Sequence, residues 1–304
     1  MDGSQFHQDE RTAQALAGVT ANGTSIRSFM PDQHRRFFAI LPYILVAGVD
    51  GSGWPIATVL AGSPGFIRSP DSTTLQIEAL PDLADPIAAA LMPGCEIGLL
   101  GIDLETRRRN RANGRITERS GKGLTVAVRQ SFGNCAKYIQ RRIAHSAPGG
   151  SGTIEHLPAM DDAARRLIAA ADTFFVASRS GPQSSLAGGA DISHRGGRPG
   201  FVRLAGDTLT ITDFRGNRYF NTLGNLLGEP RAALLFIDFE RGDLLHLRGT
   251  TEVDWDRQKT CHVDGAERSW RFSVISAWRR SSALPLTWSF LDYAPTTMKT
   301  GIWQ

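Results

Sequence analysis

Ser63-Pro64-Gly65-Phe66-Ile67-Arg68 returns 135 positions later, Pro64 against Pro199, as Arg198-Pro199-Gly200-Phe201-Val202-Arg203. Leu99-Leu100-Gly101-Ile102-Asp103 and Leu234-Leu235-Phe236-Ile237-Asp238 keep the same offset, and so do Gly114 and Gly249. Thr74-Leu75-Gln76-Ile77 and Thr208-Leu209-Thr210-Ile211 stand 134 apart, so one residue was gained or lost in a loop. Anchors in one order at nearly constant spacing mark an internal duplication. The plain alternative is two similar strand–turn patterns in a β-rich chain.

Each copy reads as β-structure with a little helix. In the second copy, strands are predicted over Thr173–Ala177, Phe201–Leu204, Thr208–Thr212, Ala232–Phe239, Asp243–Arg248 and Arg271–Val274, from β-branched, aromatic and apolar runs bounded by turns. Helical spacing covers Asp161–Ala171, and Tyr219–Leu227 reads as a short helix stopping before Gly228 and Pro230. Asp85–Leu91 is the matching helix of the first copy. The pattern predicts a mainly β fold with short helices, one small antiparallel barrel per copy. The expected division is an N-terminal extension (1–28), a first half (29–144), a Gly/Ser/Pro-rich linker (145–154) and a second half (155–304).

Composition narrows the function classes. At 304 residues, 41% hydrophobic and 21% charged, the chain can form two ordinary cores. A net charge of +4 is too small to call for nucleic acid. The three cysteines, Cys95, Cys135 and Cys261, lie far apart, so neither a disulfide framework nor a zinc site is expected. The polar N-terminus and the absence of any long apolar run point to a cytoplasmic protein without membrane contact.

The two copies differ where chemistry could sit. Phe214–Asn225 places Arg215, Asn217 and Arg218 before a helix start, with Asn221, Thr222 and Asn225 on one helical side. Guanidinium, amide and hydroxyl donors converging on a helix N-terminus suit a phosphate. The first copy has Leu83, Ile87 and Ala90 at the places of Arg218, Thr222 and Asn225. The plain alternative is a capped, solvated helix. Upstream, Ser193, His194, Arg195 and Arg198 lead into a glycine-rich turn, Gly200-Phe201-Val202, where a flat ring or phosphate could approach the backbone. A third segment, Gln130–Arg142, offers Gln130, Ser131, Asn134 and Lys137. The densest basic run, Thr106–Arg115, would put Arg107, Arg109 and Arg111 on one face of a strand. An anionic substrate site, a protected edge strand and, last in order, a nucleic-acid contact fit that run.

These segments resemble the pyridoxamine 5'-phosphate oxidase-related, FMN-binding split-barrel superfamily. Asp191–Val202, Gly216–Leu226, Pro230–Asp238 and Ser131–Ile139 carry the resemblance. Phe6–Glu10 and Met30–His34 resemble its branch of predicted flavin-nucleotide-binding proteins. The resemblance implies two tandem split barrels forming a pseudo-dimer, with FMN as cofactor. Its phosphate would be gripped by the 218–225 region, its ring would lie along residues 193–202, and the first half would cover the ring with residues 130–138. It implies an FMN-dependent oxidoreductase acting on a small molecule, with a second copy of the chain as a further partner. The substrate-phosphate residues of true pyridoxamine phosphate oxidases are not recognisable. A non-catalytic flavin- or haem-binding barrel (with His194 or His246 as axial ligand) and a deazaflavin-dependent reductase remain alternatives.

Overall fold

The computed structural model describes residues 5–149, 153–181, 187–260 and 262–303. Two helices open the chain, α1 (Gln8–Leu16) and α2 (Asp32–Ala39). The first sheet follows: β1 (Tyr43–Val49), β2 (Pro55–Ala61), β3 (Ile67–Arg68), β4 (Thr74–Ile77), β5 (Glu96–Asp103), β6 (Arg108–Arg119) and β7 (Leu124–Gly133). Next come β8 (Arg141–Ser146), β9 (Ile154–Leu157) and α3 (Asp162–Ala170). The second sheet holds β10 (Thr173–Arg179), β11 (Ala190–Gly196), β12 (Val202–Ala205), β13 (Thr208–Phe214), β14 (Arg231–Asp238), β15 (Asp243–Asp254) and β16 (Ala266–Arg280). Helix α4 (Asn221–Gly228) lies between β13 and β14, and β17 (Leu286–Asp292) comes last.

The duplication is visible in the hydrogen bonding. The strand orders are β2-β1-β5-β6-β7-β4-β3 and β11-β10-β14-β15-β16-β13-β12, the same path twice. Register agrees as well: Leu45 pairs Leu100, which pairs Arg111, while Phe175 pairs Leu235, which pairs His246. Each copy also ends in a further strand, and these two, β8 and β17, pair with each other. The fold is thus mainly β, with four short α-helices among the described residues.

Strand periodicity explains how the halves join. Along β1, Ile44 and Val46 enter the first core while Leu45 and Ala47 face the other copy. Along β10, Phe174 and Val176 enter the second core while Phe175 and Ala177 face back. Both faces are therefore apolar, and the strands read as unbroken hydrophobic runs. Leu100, Ile102, Leu235 and Ile237 complete this middle layer. The backbones come close at Gly98, where a Cβ would lie 2.8 Å from Asp191 Cα.

Several local expectations shift. Residues 85–91 form a four-residue 3-10 turn, Pro86–Ala89, rather than an α-helix, with Asp85 accepting from Ile87 N. A proline at the first position and so short a span favour the tighter turn. The expected 145–154 linker begins inside β8 and ends inside β9, and residues 150–152 lie outside the described residues. The expected 1–28 extension, of which residues 1–4 lie outside them too, carries α1 onto α4 of the second half. That docking needs Gly224, where a Cβ would lie 2.6 Å from Glu10 Cα. Glu10 is buried, with its carboxylate accepting from Asn221 Nδ2 (2.6 Å) and His7 N (2.9 Å). Burial dominates its titration and raises its pKa to about 8, although Asn221, His7 and Arg111 favour the anion.

Two outcomes are expected. Gly98→Ala should force the β5 and β11 backbones apart and lower unfolding free energy by about 1–3 kcal/mol, read as a lower urea midpoint. Folding also takes up a proton at Glu10, whose unfolded carboxyl ionises near 4.5 and whose folded one holds its proton to about 8. Stability should therefore fall as pH rises between those values and level off above them. Urea titrations across that range should show a shallower decline in Glu10→Gln than in the wild type.

Candidate functional site

A polar cavity of about 100 Å³ lies between β6 of the first half and β11, β13, α4 and β16 of the second. At about 30 Å³ per water it admits a compact anion, and the remainder of a larger ligand would extend beyond it. Of the residues singled out in the sequence, Arg109, Arg111, Asn134, Ser193, His194, Arg195, Asn217, Arg218, Asn221 and Thr222 line it. Both halves contribute, so the cavity depends on their docking.

The first half supplies Arg109 and Arg111 because β6 alternates. Arg109 and Arg111 face the second half, while Arg108 lies over the Phe37 ring of the first core, 5.1 Å from its centroid. Arg111 is buried and forks onto Asp191 (2.9 and 3.1 Å), and Asn113 also donates to Asp191 (3.0 Å). Arg109 differs. It donates to Cys135 O (3.1 Å) and His194 Nδ1 (2.9 Å), and no carboxylate among the described residues pairs with it. Burial lowers its pKa to about 10, so it remains a cation at neutral pH.

The second half supplies the loop before α4. Arg218 (φ 64°) and Phe220 (φ 61°) both adopt the left-handed region, an arrangement that costs non-glycine residues about 1–2 kcal/mol each. Phe220 is held in place by the Arg268 guanidinium over its ring, at 4.9 Å, and by Trp255 at 6.0 Å. In the first turn of α4, Thr222 donates to Ser193 Oγ (2.7 Å), and both residues line the cavity. Arg195 and Arg268 share Asp213, one on each carboxylate oxygen (2.5 Å each). Arg218 has only a loose ion pair with Glu267, at 3.6 Å, and its side chain is 36% exposed. Five arginines thus surround the cavity against two lining carboxylates, Asp213 and Glu267.

The other singled-out residues have different surroundings. Asn225 shares its amide between His7 Nε2 (2.8 Å) and Ser178 Oγ (3.0 Å). Arg198 is exposed and Gly200 (φ 94°) sits in a turn, while Phe201 and Val202 belong to the second core. Gln130 donates to Ala187 O (3.0 Å), and Ser131 is buried against His34 Nδ1 (2.8 Å). Lys137 reaches Arg215 O at 3.4 Å, and Asn134 accepts from Asn217 (3.2 Å). Arg107 (φ 56°) precedes β6 in a turn and binds Asp292 and Tyr293 O, off the face that carries Arg109 and Arg111. Asp213, Glu267 and Arg268 were not foreseen. Asp213 and Arg268 are direct cross-strand partners, a juxtaposition visible only once the β13–β16 register is known.

The matching place in the opposite half is closed. Leu244 and His246 occupy the positions of Arg109 and Arg111, and Thr58 that of Ser193. Thr58 and Arg280 both donate to the buried Asp85 (2.6 Å each), and His246 stacks on Trp278 at 5.0 Å. Burial lowers the His246 pKa to about 4. Trp278 itself packs into the first core.

No protein-family model and no curated protein matches the chain. Similar solved structures each correspond to about two-fifths of it. A HupZ variant from Group A Streptococcus has 16% identity and a TM-score of 0.30, covering 40% of this chain and 98% of its own. A FAD-binding protein from Mesorhizobium loti has 11% identity and a TM-score of 0.30, covering 42% and 97%. A protein related to general stress protein 26, of the pyridoxinephosphate oxidase family, from Clostridium acetobutylicum has 14% identity and a TM-score of 0.30, covering 42% and 92%.

Proposed function

We propose that the chain binds FMN in the cavity between its halves, with the phosphate in the cradle formed by Arg109, Arg218, Ser193, Thr222 and the start of α4. The observation that carries this reading is Arg109, a cation at the cavity wall without a carboxylate partner among the described residues. Leaving a desolvated charge uncompensated is costly, and a phosphate oxygen would compensate it. Arg218, loosely paired with Glu267, is the second cation able to turn toward an anion. The donor set is thus suited to a phosphate, and the FMN motifs identify which phosphate ester to test.

Bound flavin would supply hydride acceptance and return, so the proposed activity is that of an FMN-dependent oxidoreductase acting on a small molecule. The chain's own residues would hold the phosphate and orient the ring outside the cradle. Asn134 and Asn217, bonded across the mouth of the cavity, tie the two halves together there.

FMN titration followed by flavin fluorescence tests the reading. Arg109→Ala should weaken FMN binding about 10–100-fold, the usual loss for a charge-assisted bond. Leu83→Ala, at the first-half position matching Arg218 and 88% exposed, should leave binding unchanged. Failure of the wild type to bind FMN, or equal affinity of Arg109→Ala and wild type, would reject it.

A further inference from the structure

Tyr219 stands between the two left-handed residues of the loop before α4, Arg218 and Phe220, and both of those line the cavity. A free chain visits that conformation rarely, so two such residues flanking one position need outside restraint. The contacts of Phe220 with Arg268 and Trp255 supply part of it. The rest falls on Tyr219, and most of it comes from the N-terminal segment. Gln14 Nε2 donates to Tyr219 O at 3.1 Å, and the Tyr219 hydroxyl shares a short hydrogen bond with Ser25 Oγ. Phe6 meets the Tyr219 ring edge-on at 5.4 Å, and the Phe132 ring of β7 is 6.2 Å away. Just beyond this segment, Arg27 exchanges two backbone hydrogen bonds with Ser131 (3.0 and 2.7 Å). The segment is therefore anchored to the first half while it holds a loop of the second. Glu10 also holds Asn221 at the cavity wall (2.6 Å).

We propose that residues 6–25 form an intramolecular clamp: by gripping Tyr219 they keep Arg218 and Phe220 in the left-handed form, and so set the affinity of the cavity for an anionic ligand. The proposal rests on the FMN reading for its ligand, whereas the clamp itself is a property of the ligand-free chain. Tyr219 is not itself part of the cavity wall, so its effect runs through its two neighbours. Tyr219 and Gln14 are thus positioning residues. Coupling of this kind is reciprocal: whatever the clamp adds to ligand binding, the ligand adds to docking of the clamp. Plain packing of an N-terminal helix would raise stability without either effect.

Hydrogen exchange and FMN titration on the full-length protein test it. In apo-protein, Tyr219→Ala, and the milder pair Gln14→Ala with Ser25→Ala, should speed exchange of peptides spanning 214–228 at least tenfold and leave those of β10 and β14 unchanged. Unchanged exchange in 214–228, or an equal rise in all three, overturns the clamp without reference to any ligand. Tyr219→Ala should weaken FMN binding at least tenfold. Tyr219→Phe, which keeps the ring contacts, should stay within about threefold of wild type. Ile168→Val, in the second core and away from the cavity, separates positioning from stability. It should lower the urea midpoint and leave FMN affinity unchanged. A loss of affinity in Ile168→Val as large as in Tyr219→Ala, or equal affinity of Tyr219→Ala and wild type, overturns the positioning role. Bound FMN should slow exchange in residues 8–16, and FMN that binds without doing so overturns the coupling. A wild type that binds no FMN would instead overturn the cofactor reading, while exchange in the apo-protein would still decide the clamp.

Discussion

The apolar layer between the two sheets is the constraint on which the rest depends. Leu45, Leu100, Phe175 and Leu235 have cores on one side and the opposite copy on the other, so neither sheet presents a water-facing surface there. Burial of such side chains is the dominant favourable term in folding, at about 25 cal/mol per Å². The layer also fixes distance. With Gly98 against the Asp191 backbone, β6 is held near enough for Arg111 to reach Asp191 and for Arg109 to reach His194. The cavity is therefore a by-product of sheet docking: its walls belong to two cores, and its shape is set where those cores touch.

What was legible in the sequence was whatever obeyed a period. The 135-residue repeat anticipated equivalent strands, and the paired registers of Leu100–Arg111 and Leu235–His246 realise it. Two-residue alternation anticipated that Arg109 and Arg111 share a face. It failed to anticipate Arg107, because a left-handed turn residue lies outside the strand's period. The contrast between Arg218 and Leu83 marked a loop that lines the cavity, since the one half keeps the polar set that the other lacks.

What remained hidden depended on long-range register and docking. Nothing local links Asp213 to Arg268, which are neighbours only across two paired strands. Asn225 has the residue type and spacing of a phosphate ligand, yet its amide is occupied by His7, from a segment 218 positions away. The local traces of that docking are the glycines at 224 and 228, where a Cβ would run into Glu10 and Asp9 of α1. Ion pairs such as Arg195–Asp213 likewise divide the arginines into those already neutralised and those still available, a distinction composition alone cannot draw.

The counterpart site, filled by Trp278, His246 and the Asp85–Arg280 pair, changes what joining two barrels in one chain achieves. A symmetric pair of identical chains must carry every substitution twice, so a residue that improves one pocket alters its twin as well. Covalent linkage removes that restriction, and here one mirror position has become structural filling. Linkage also makes encounter between the halves a unimolecular event, independent of protein concentration. The proposed site has no equivalent at the mirror position among the described residues, and so no intramolecular twin with which to exchange binding energy. Its occupancy should follow a simple hyperbola even when the protein is dilute.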